Sequence, residues 1–307
     1  MKVFISGGAG FIGSHLVEQL LAAGHSVRIL DNLATGKREN LLAHPQLEFV
    51  MGDIRDQRLV FEVSAGTDAI VHLAAVASVQ ASVDDPIGTH ETNFDGTLHL
   101  LEAARKNNVR RFVYASSAAV YGDNTRLPLA ENETPNPLSP YAVDKLAGEY
   151  YLRFYQAKFG IATTSFRFFN IFGPRQDPAS PYSGVISIFI ERLRGGAPVT
   201  IFGDGHQTRD FVYVGDLAAL LVQALSRPES VGQIINVGRG QQCSLLELLA
   251  ALEKISGKSI ARRFEAARLG DIVHSRADVS NLVRLFGKAP TTDIATGLEA
   301  ILQFRRS

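Results

Sequence analysis

Short apolar runs alternate with segments of helical periodicity through the first half of the chain. Short apolar runs bounded by turn residues are typical of buried strands, whereas apolar positions repeated every three to four residues predict helices. The predicted strands are Lys2–Ser6, Val27–Leu30, Leu47–Val50, Ala69–Ala74, Phe112–Ser116 and Ile161–Phe168. The predicted helices are Ser14–Ala23, Asp95–Asn107 and Ala142–Phe159. This order predicts an α/β fold with a doubly wound parallel sheet, the Rossmann arrangement, whose ligands bind at the carboxyl ends of the strands.

The pattern becomes less regular near residue 170, where glycine and proline interrupt shorter apolar runs. We therefore predict a Rossmann nucleotide-binding domain over 1–169 and a smaller C-terminal α/β lobe for the substrate over 170–307. Within the second range, Gln233–Val237 again has the pattern of a parallel strand and precedes a predicted helix over Leu245–Ile255. The chain is accordingly expected to cross back into the first sheet within 205–250.

Composition and charge exclude several classes of protein. The 307 residues are 46% hydrophobic and 20% charged, as in ordinary globular chains and unlike disordered or collagen-like ones. Lys and Arg total 31 and Asp and Glu total 31, so no basic surplus is available for a nucleic-acid backbone or an anionic membrane. We therefore expect no nucleic-acid partner and no membrane partner, and an anionic ligand must be bound by local groups.

Two further features concern the location of the protein. The first apolar run ends at Ser6, which is too short for a secretory signal, and no segment approaches about 18 uncharged apolar residues. Cys243 is the only cysteine, which excludes an intrachain disulfide and a cysteine-based zinc site. The expectation is a cytoplasmic protein with no metal site.

A glycine-rich turn joins the first predicted strand to the first predicted helix. Gly7, Gly10 and Gly13 recur at every third position. In this context the first glycine permits the tight turn, the second lets a pyrophosphate approach the backbone, and the third lets the helix pack closely on the sheet. The amides at the helix N-terminus then face the anion. A glycine turn without a ligand is the alternative, but the flanking strand and helix favour a dinucleotide site.

Asp31 ends the second predicted strand, where a carboxylate accepts hydrogen bonds from the adenosine ribose and repels a 2′-phosphate. NAD is therefore favoured over NADP. Arg28, Lys37 and Arg38 are near in sequence, and the alternative is that they accept the phosphate of NADP. Asp53 follows the third predicted strand and either meets the adenine amino group or is an ordinary loop or helix-capping aspartate.

A tyrosine and a lysine are spaced for proton transfer. Tyr141 and Lys145 are four residues apart on a predicted helix, so their side chains share one face. Lowering a tyrosine pKa from about 10 to about 7 requires roughly 4 kcal/mol of phenolate stabilisation. Lys145 and an oxidised nicotinamide ring are positive charges able to supply it. Ser116 and Ser117 end the fifth predicted strand, where a hydroxyl can share the proton with Tyr141.

Seven groups of residues extend this pattern along nearly the whole chain. They are Ser6–Gly13, His72–Ala75, Asn93, Ser116–Ser117 with Val120–Gly122, Tyr141–Lys145, Arg167–Asn170 with Phe172–Arg175, and Arg209–Val214. Together they resemble the extended short-chain dehydrogenase/reductase superfamily, in its NAD-dependent nucleotide-sugar epimerase and dehydratase branch, and within it the UDP-N-acetylglucosamine and UDP-glucose 4-epimerases. The branch usually begins its first motif with Thr, and Ser6 keeps the hydroxyl.

The resemblance implies roles for individual residues. Ser117, Tyr141 and Lys145 are the implied catalytic set, with Tyr141 as the base, and Ser117 rather than Ser116 aligns with the branch's catalytic hydroxyl. The implied NAD-binding residues are Gly7, Gly10, Phe11, Ile12, Gly13, Asp31, Asn32, Asp53, Ile54, Leu73, Ala74, Ala75, Asn93, Tyr141, Lys145 and Phe168. The implied UDP-sugar-binding residues are Ser117, Tyr141, Asn170, Arg209, Arg268, Asp271 and Ser275.

Among the substrate residues, Asn170 and Arg209 resemble those that hold the diphosphate of a nucleoside-diphosphate sugar. Arg268 and Asp271 resemble a C-terminal pair that binds phosphate and the uridine ribose, and a guanidinium fork matches phosphate oxygens. In the branch, the position seven residues beyond that arginine borders sugar C2, where a tyrosine excludes an N-acetyl group. Here it is Ser275, which leaves room for an acetamide unless neighbouring residues refill the space.

The reaction that follows oxidation at sugar C4 depends on further acid–base groups. Dehydratases of the branch place acidic residues directly after the catalytic hydroxyl. Here these positions are Ala118 and Ala119, which cannot move a proton. We therefore predict C4 epimerisation of a UDP-hexose, UDP-N-acetylglucosamine/UDP-N-acetylgalactosamine and also UDP-glucose/UDP-galactose, through a 4-keto intermediate.

Other functions remain as alternatives. One is a non-catalytic NAD-binding protein, which has no need of Ser117, Tyr141 and Lys145 together. Another is a nucleotide-sugar oxidoreductase or dehydratase of the same branch. Co-purified NAD separates an epimerase, which regenerates its cofactor in each turnover, from an oxidoreductase that releases it.

A homodimer is also expected. The helix with Tyr141 has more apolar and aromatic surface than one core-facing stripe requires, in Leu146, Tyr150, Tyr151, Phe154 and Tyr155. The predicted interface pairs this helix with the helix over Asp95–Asn107, as the resemblance also implies. The alternative is that both helix faces are buried within one subunit.

Overall fold

The computed structural model describes residues 1–177, 184–267 and 272–304. The strands in these ranges are β1 Lys2–Ser6, β2 Ser26–Asp31, β3 Leu47–Met51, β4 Ala69–His72, β5 Arg111–Ser117, β6 Ala162–Phe168, β7 Asn170–Phe172, β8 Val199–Phe202, β9 Thr208–Arg209, β10 Phe211–Tyr213, β11 Ile234–Val237, β12 Cys243–Ser244 and β13 Arg262–Glu265. The α-helices are α1 Phe11–Ala22, α2 Gln57–Ser64, α3 Val79–Asp84, α4 Pro86–His90, α5 Gly96–Lys106, α6 Pro140–Phe159, α7 Val185–Gly195, α8 Val214–Ala224, α9 Leu245–Ser256, α10 Ser280–Phe286 and α11 Ile294–Gln303.

Seven strands form one sheet, in the order β11-β6-β5-β4-β1-β2-β3. All neighbouring pairs among β1 to β6 are parallel. The central strands are apolar and fully buried, as in Val3, Phe4 and Ile5 of β1, which is the pattern of a parallel sheet covered on both faces. The doubly wound α/β sheet predicted from the sequence is confirmed. At its carboxyl edge, Ser117 of β5 lies in register with Phe168 of β6.

Three element boundaries differ from the prediction for local reasons. Helix α1 begins at Phe11 because Gly10, in an extended conformation, is its N-cap and Gly13 is accommodated within the helix. Helix α6 begins at Pro140 because the Ser139 hydroxyl caps it. Strand β4 ends at His72 because the next two amides donate to the Ser6 carbonyl of β1 instead of continuing the ladder.

Contacts divide the described residues into two compact units, each with its own apolar core. The first unit comprises 1–122, 134–168 and 218–235, and the second comprises 123–133, 169–217 and 236–307. The first core includes Phe4, Leu100 and Phe112. The second includes Phe189 and Leu248. Among the described helices, none combines the length and apolarity needed to cross a membrane.

The second unit contains three short strand pairs. Strand β7 pairs in parallel with β10, β8 pairs in parallel with β13, and β9 pairs antiparallel with β12. The β9 segment also forms a bridge between Thr208 and His274. Chain segments that are distant in sequence are therefore brought together around β9 and β10.

Candidate active site

The turn between β1 and α1 is shaped by glycines. Gly7 has φ +76°, and a Cβ added there would lie 2.7 Å from the amide nitrogen of Ala74. A Cβ at Gly13 would overlap the carbonyl oxygen of Gly7. No side chain caps α1 at Gly10. The turn therefore closes tightly, and the first amides of the helix are available to an anion such as a pyrophosphate.

The Asp31 carboxylate is fixed at the carboxyl end of β2 by backbone amides. Its Oδ2 accepts from the Ala9 amide at 2.9 Å, and its Oδ1 accepts from the Leu33 amide at 2.8 Å. Burial raises the pKa of Asp31, and these two hydrogen bonds oppose the increase. Each carboxylate oxygen has two lone pairs, so both can still accept a ligand hydroxyl. The geometry suits a ribose diol.

Cations near Asp31 in sequence have other contacts. Arg28 Nε donates to Glu48 at 2.7 Å, and Arg28 Nη1 donates to the Val63 carbonyl at 2.7 Å. The Arg38 guanidinium lies over the Phe49 ring, 4.7 Å from its centroid. These contacts support NAD, rather than NADP, as the cofactor that Asp31 accommodates.

The segment after β3 divides between a polar and a core residue. Asn32 Nδ2 donates to Asp53 Oδ2 at 2.9 Å. Burial raises the pKa of Asp53, but hydrogen bonds from Arg55 and Asn32 outweigh it, so the pKa is below its usual value. Asp53 does not cap α2, because that role belongs to Asp56. Ile54 packs in the first core and is 4% exposed.

The residues after β4 form a wall beside the glycine turn. The amides of Leu73 and Ala74 donate to the Ser6 carbonyl at 3.1 and 3.0 Å. Asn93 is 1% exposed, and its side-chain amide accepts from the Val76 nitrogen at 2.7 Å and donates to the Val76 carbonyl at 3.1 Å. Asn93 therefore fixes the backbone of this wall, which is a role that its motif did not indicate.

A buried hydrogen-bond chain behind the turn was not predicted. The Thr97 hydroxyl donates to the Asn93 carbonyl at 2.6 Å, so it accepts from His72 Nε2 at 2.8 Å. His72 Nδ1 then accepts from the Ser6 hydroxyl at 2.7 Å. Burial, and then the charge of Lys145, hold the pKa of His72 well below its usual value. A neutral imidazole therefore links β1, β4 and α5.

The remaining predicted cofactor residues lie in the first unit at the edges of these elements. Phe11 begins α1 and its ring meets the His15 ring edge to face, with centroids 6.1 Å apart. Ile12 and Ala75 are half-buried. Phe168 ends β6 opposite Ser117.

Ser117, Tyr141 and Lys145 come together in the first unit. The Ser117 hydroxyl accepts from the Ala119 amide at 3.1 Å and hydrogen-bonds the Tyr141 phenol. Desolvation raises the pKa of Tyr141, and the hydrogen bond from Ser117 opposes it. Lys145 Nζ lies 5.9 Å from the centroid of the Tyr141 ring. Burial lowers the pKa of Lys145 to about 8, and the Asp144 carboxylate opposes this effect.

The neighbouring serine has a different environment. The Ser116 hydroxyl donates to Glu149 Oε1 at 2.5 Å. Glu149 forms a fully buried, two-point ion pair with Arg167, at 2.9 and 2.7 Å. The Arg167 guanidinium stacks over the Tyr121 ring, 4.7 Å from its centroid. Ser116 therefore belongs to a structural network, whereas Ser117 faces the phenol.

Three predicted substrate residues cluster in the second unit. The Asn170 amide donates to the Asp210 carbonyl at 3.0 Å, and Asn170 is exposed. Arg209 Nη1 donates to the Thr208 carbonyl at 2.9 Å. The Ser275 amide donates to the same carbonyl at 3.2 Å, and Ser275 is 8% exposed. Arg268 and Asp271 lie outside the described residues.

Asp210 organises this cluster, although no role was predicted for it. Its buried carboxylate accepts from the amides of Arg239 at 2.7 Å, Gly240 at 2.9 Å and Ala277 at 3.1 Å. Burial raises the pKa of Asp210 to about 6, against the effect of these amides. The carboxylate joins the loop after β11 to the segment that contains Ser275.

A Rossmann sheet with a glycine turn, a carboxylate at the end of β2 and a serine–tyrosine–lysine set defines a dinucleotide-dependent enzyme of the short-chain dehydrogenase/reductase type. Sequence comparison makes this assignment narrower. The chain belongs to the NAD dependent epimerase/dehydratase family, whose profile matches residues 3–238. This confirms the predicted family, the prediction of an enzyme and the predicted cofactor, NAD.

Individual relatives are similar over their whole length. The UDP-glucose 4-epimerase of Mycolicibacterium smegmatis is 40% identical over 312 residues, covering 100% of this chain and 99% of that protein. The structure of a Methanobrevibacter ruminantium UDP-N-acetylglucosamine 4-epimerase with UDP-N-acetylmuramic acid matches with a TM-score of 0.94 and 36% identity, over 98% of this chain and 97% of that one. The Thermus thermophilus UDP-glucose 4-epimerase complex with NAD matches with a TM-score of 0.89 and 40% identity, over 98% of each chain.

Proposed function

We propose that the protein is an NAD-dependent UDP-hexose 4-epimerase that interconverts UDP-N-acetylglucosamine and UDP-N-acetylgalactosamine, and also UDP-glucose and UDP-galactose. The relatives support C4 epimerisation of a UDP-sugar, and their names include both a glucose and an N-acetylglucosamine enzyme. The preference for the N-acetylated sugar depends on Ser275.

The observation that best supports epimerisation is the composition of the site around Ser117. Its hydroxyl contacts the Tyr141 phenol, and the next two residues, Ala118 and Ala119, have no acid–base group. A dehydratase needs a group that helps to expel water from C5 and C6. The site contains a base for the C4 hydroxyl without such a group beside Ser117, which favours return of the hydride to C4.

The first unit has the groups that a bound dinucleotide needs. The glycine turn and the open end of α1 would hold the pyrophosphate, and Asp31 would hold the adenosine ribose. Asn93 would act indirectly, by fixing the wall after β4. When bound, NAD supplies reversible acceptance of the hydride from sugar C4.

We assign the proton transfer to Tyr141. Its phenolate would take the proton of the C4 hydroxyl as the 4-keto sugar forms and return it after the sugar turns over. Ser117 donates a hydrogen bond to the phenol oxygen, which favours the phenolate. Lys145 adds a positive charge on the same helix face. Both groups lower the cost of deprotonating Tyr141 at neutral pH.

For the substrate, we propose that Asn170 and Arg209 bind the diphosphate, and that Arg268 and Asp271 bind phosphate and the uridine ribose. Ser275 is proposed to border sugar C2. Support for this grouping comes from the backbone hydrogen bonds that bring Asn170 to Asp210, and Ser275 to the residue before Arg209.

We also propose a homodimer that uses α5 and α6. Tyr150 and Phe154 are 59% and 54% exposed, and Tyr151 is 39% exposed. Tyr155 is buried and its hydroxyl donates to Glu102 at 2.6 Å, so this member of the predicted set contributes to the core instead. The exposed aromatic surface suits a second copy of the chain.

The test is a panel of UDP-sugars, scored for C4 inversion by NMR without added NAD, together with release of NAD from denatured protein. The expected result is inversion of UDP-N-acetylglucosamine and UDP-glucose with NAD co-purified in the protein. Tyr141→Phe should reduce turnover by about 10²–10⁴-fold while bound NAD is retained. Substantial activity in that variant would exclude Tyr141 as the base.

A further inference from the structure

A second tyrosine contacts the lysine of the proposed proton-transfer set. Tyr114 lies on β5 and is fully buried. Lys145 Nζ lies over its ring, 5.0 Å from the centroid, compared with 5.9 Å for the ring of Tyr141. An ammonium over an aromatic face within about 6 Å is attracted by the negative potential of the ring, and more strongly where water is excluded.

The Tyr114 ring is held in this position from two sides. The His72 ring packs against it, with centroids 5.6 Å apart. On α6, Gly148 allows close approach, because a Cβ at that position would overlap the Tyr114 hydroxyl and lie 2.7 Å from Cζ. Burial, and then the charge of Glu149, raise the pKa of Tyr114 well above its usual value. The ring is therefore a fixed, neutral aromatic face.

The other charged groups near Lys145 leave its protonation finely balanced. Burial lowers the pKa of Lys145 to about 8, and the opposing group is the Asp144 carboxylate on the same helix. Asp144 shares its charge with His90 of α4, whose Nδ1 lies 2.7 Å from Asp144 Oδ1. His72 of β4 is kept neutral by its burial and by Lys145 itself. A modest stabilising contact therefore decides how much ammonium is present near neutral pH.

We propose that Tyr114 is a positioning residue whose ring face holds the Lys145 ammonium charged beside Tyr141. This inference rests on the proposed function. Lys145 supports the Tyr141 phenolate only while it is charged, so turnover should fall as Lys145 loses its proton. The pH at which that fall occurs then depends on the electron density of the Tyr114 ring.

The experiment weakens the ring potential without changing the ring's size. Tyr114→Phe is the reference, followed by 4-fluoro-, 3,5-difluoro- and 3,4,5-trifluorophenylalanine at the same position. In each NAD-loaded variant, kcat and KM for UDP-glucose are measured against pH. The alkaline limb of the kcat profile should move to lower pH at each step, by about one unit in total, with KM little changed. The direction follows because a weaker ring favours the neutral amine.

The matched control is the same fluorination series at Phe112. This residue lies on the same strand, is fully buried in the same core, and its ring meets no cation in the described part of the chain. Melting temperatures report whether each variant is folded. An equal shift in both series, or a fixed alkaline limb in the Tyr114 series, would overturn the inference. If Tyr141→Phe remained active, the proposed function would fail instead, which is a separate result.

Discussion

The two adjacent serines at the end of β5 make opposite predictions when each is replaced by alanine. Ser117 donates a hydrogen bond to the Tyr141 phenol, and a hydrogen bond to a charged group contributes about 1.5–3 kcal/mol. Its loss should therefore raise the pKa of Tyr141 by about 1–2 units. Below that pKa the rate falls tenfold per pH unit, so Ser117→Ala should lower kcat at neutral pH by about 10- to 100-fold.

The pH dependence distinguishes this effect from simple damage. The acid limb of the kcat profile should move to higher pH in Ser117→Ala, and the deficit relative to wild type should shrink as the pH rises. Ser116→Ala is the matched control, because that hydroxyl donates to the buried Glu149 instead. It should cost about 1–3 kcal/mol of unfolding free energy and leave the acid limb in place.

The assay is a coupled measurement of UDP-galactose conversion from about pH 5.5 to 9, with thermal unfolding of both variants in parallel. The reasoning is refuted if the deficit of Ser117→Ala is the same at every pH. It is also refuted if Ser116→Ala, and not Ser117→Ala, moves the acid limb.

Three further predictions concern the cofactor, the sugar and the assembly. Gly13→Ala should lose co-purified NAD because its Cβ overlaps the turn, whereas Gly195→Ala, with nothing within 4 Å of the added Cβ, should keep it; equal NAD content contradicts this. Ser275→Tyr should lower kcat/KM for UDP-N-acetylglucosamine about 5- to 150-fold relative to UDP-glucose in the same variant, and equal losses would show that Ser275 does not border the acetamide. Phe154→Glu should convert a dimer to a monomer in sedimentation with little change in melting temperature, and a monomeric wild-type protein at micromolar concentration would exclude the dimer.

The sheet was predictable from sequence because strands of a parallel sheet are continuous apolar runs. The runs at β1, β2 and β5 are bounded by glycine or polar residues, and no amphipathic helix competes for them. Their ends were less predictable. The end of β4 is decided by the Ser6 carbonyl, which accepts the next two amides, and this hydrogen bond depends on the tertiary structure.

The short elements were missed for a different reason. Helices α3 and α4 have six and five residues, which is too short to show periodicity, and each begins at a polar cap. A Ser or Asp cap without a following apolar stripe is indistinguishable from a loop. The described part of the second unit likewise has strands of two to four residues, whose pairing joins distant segments.

Within the candidate site, sequence reasoning located the groups but not their contacts. Motif spacing placed Ser117, Tyr141 and Lys145 together. It did not show that Asn93 binds backbone or that Asp210 joins two loops, because those roles depend on which amides the fold brings near. A buried aspartate within a motif otherwise valued for Arg209 was the available signal for Asp210.

The central claim is that hydride leaves and returns to the same carbon. The direct measurement is NMR analysis of UDP-N-acetylglucosamine incubated with the purified protein in D₂O, without added cofactor. We predict UDP-N-acetylgalactosamine that keeps its original hydrogen at C4 and contains no solvent deuterium on the sugar carbons. Deuterium at C5 or C6, accumulation of one NADH per sugar consumed, or no C4-inverted product from any UDP-hexose would contradict the assignment.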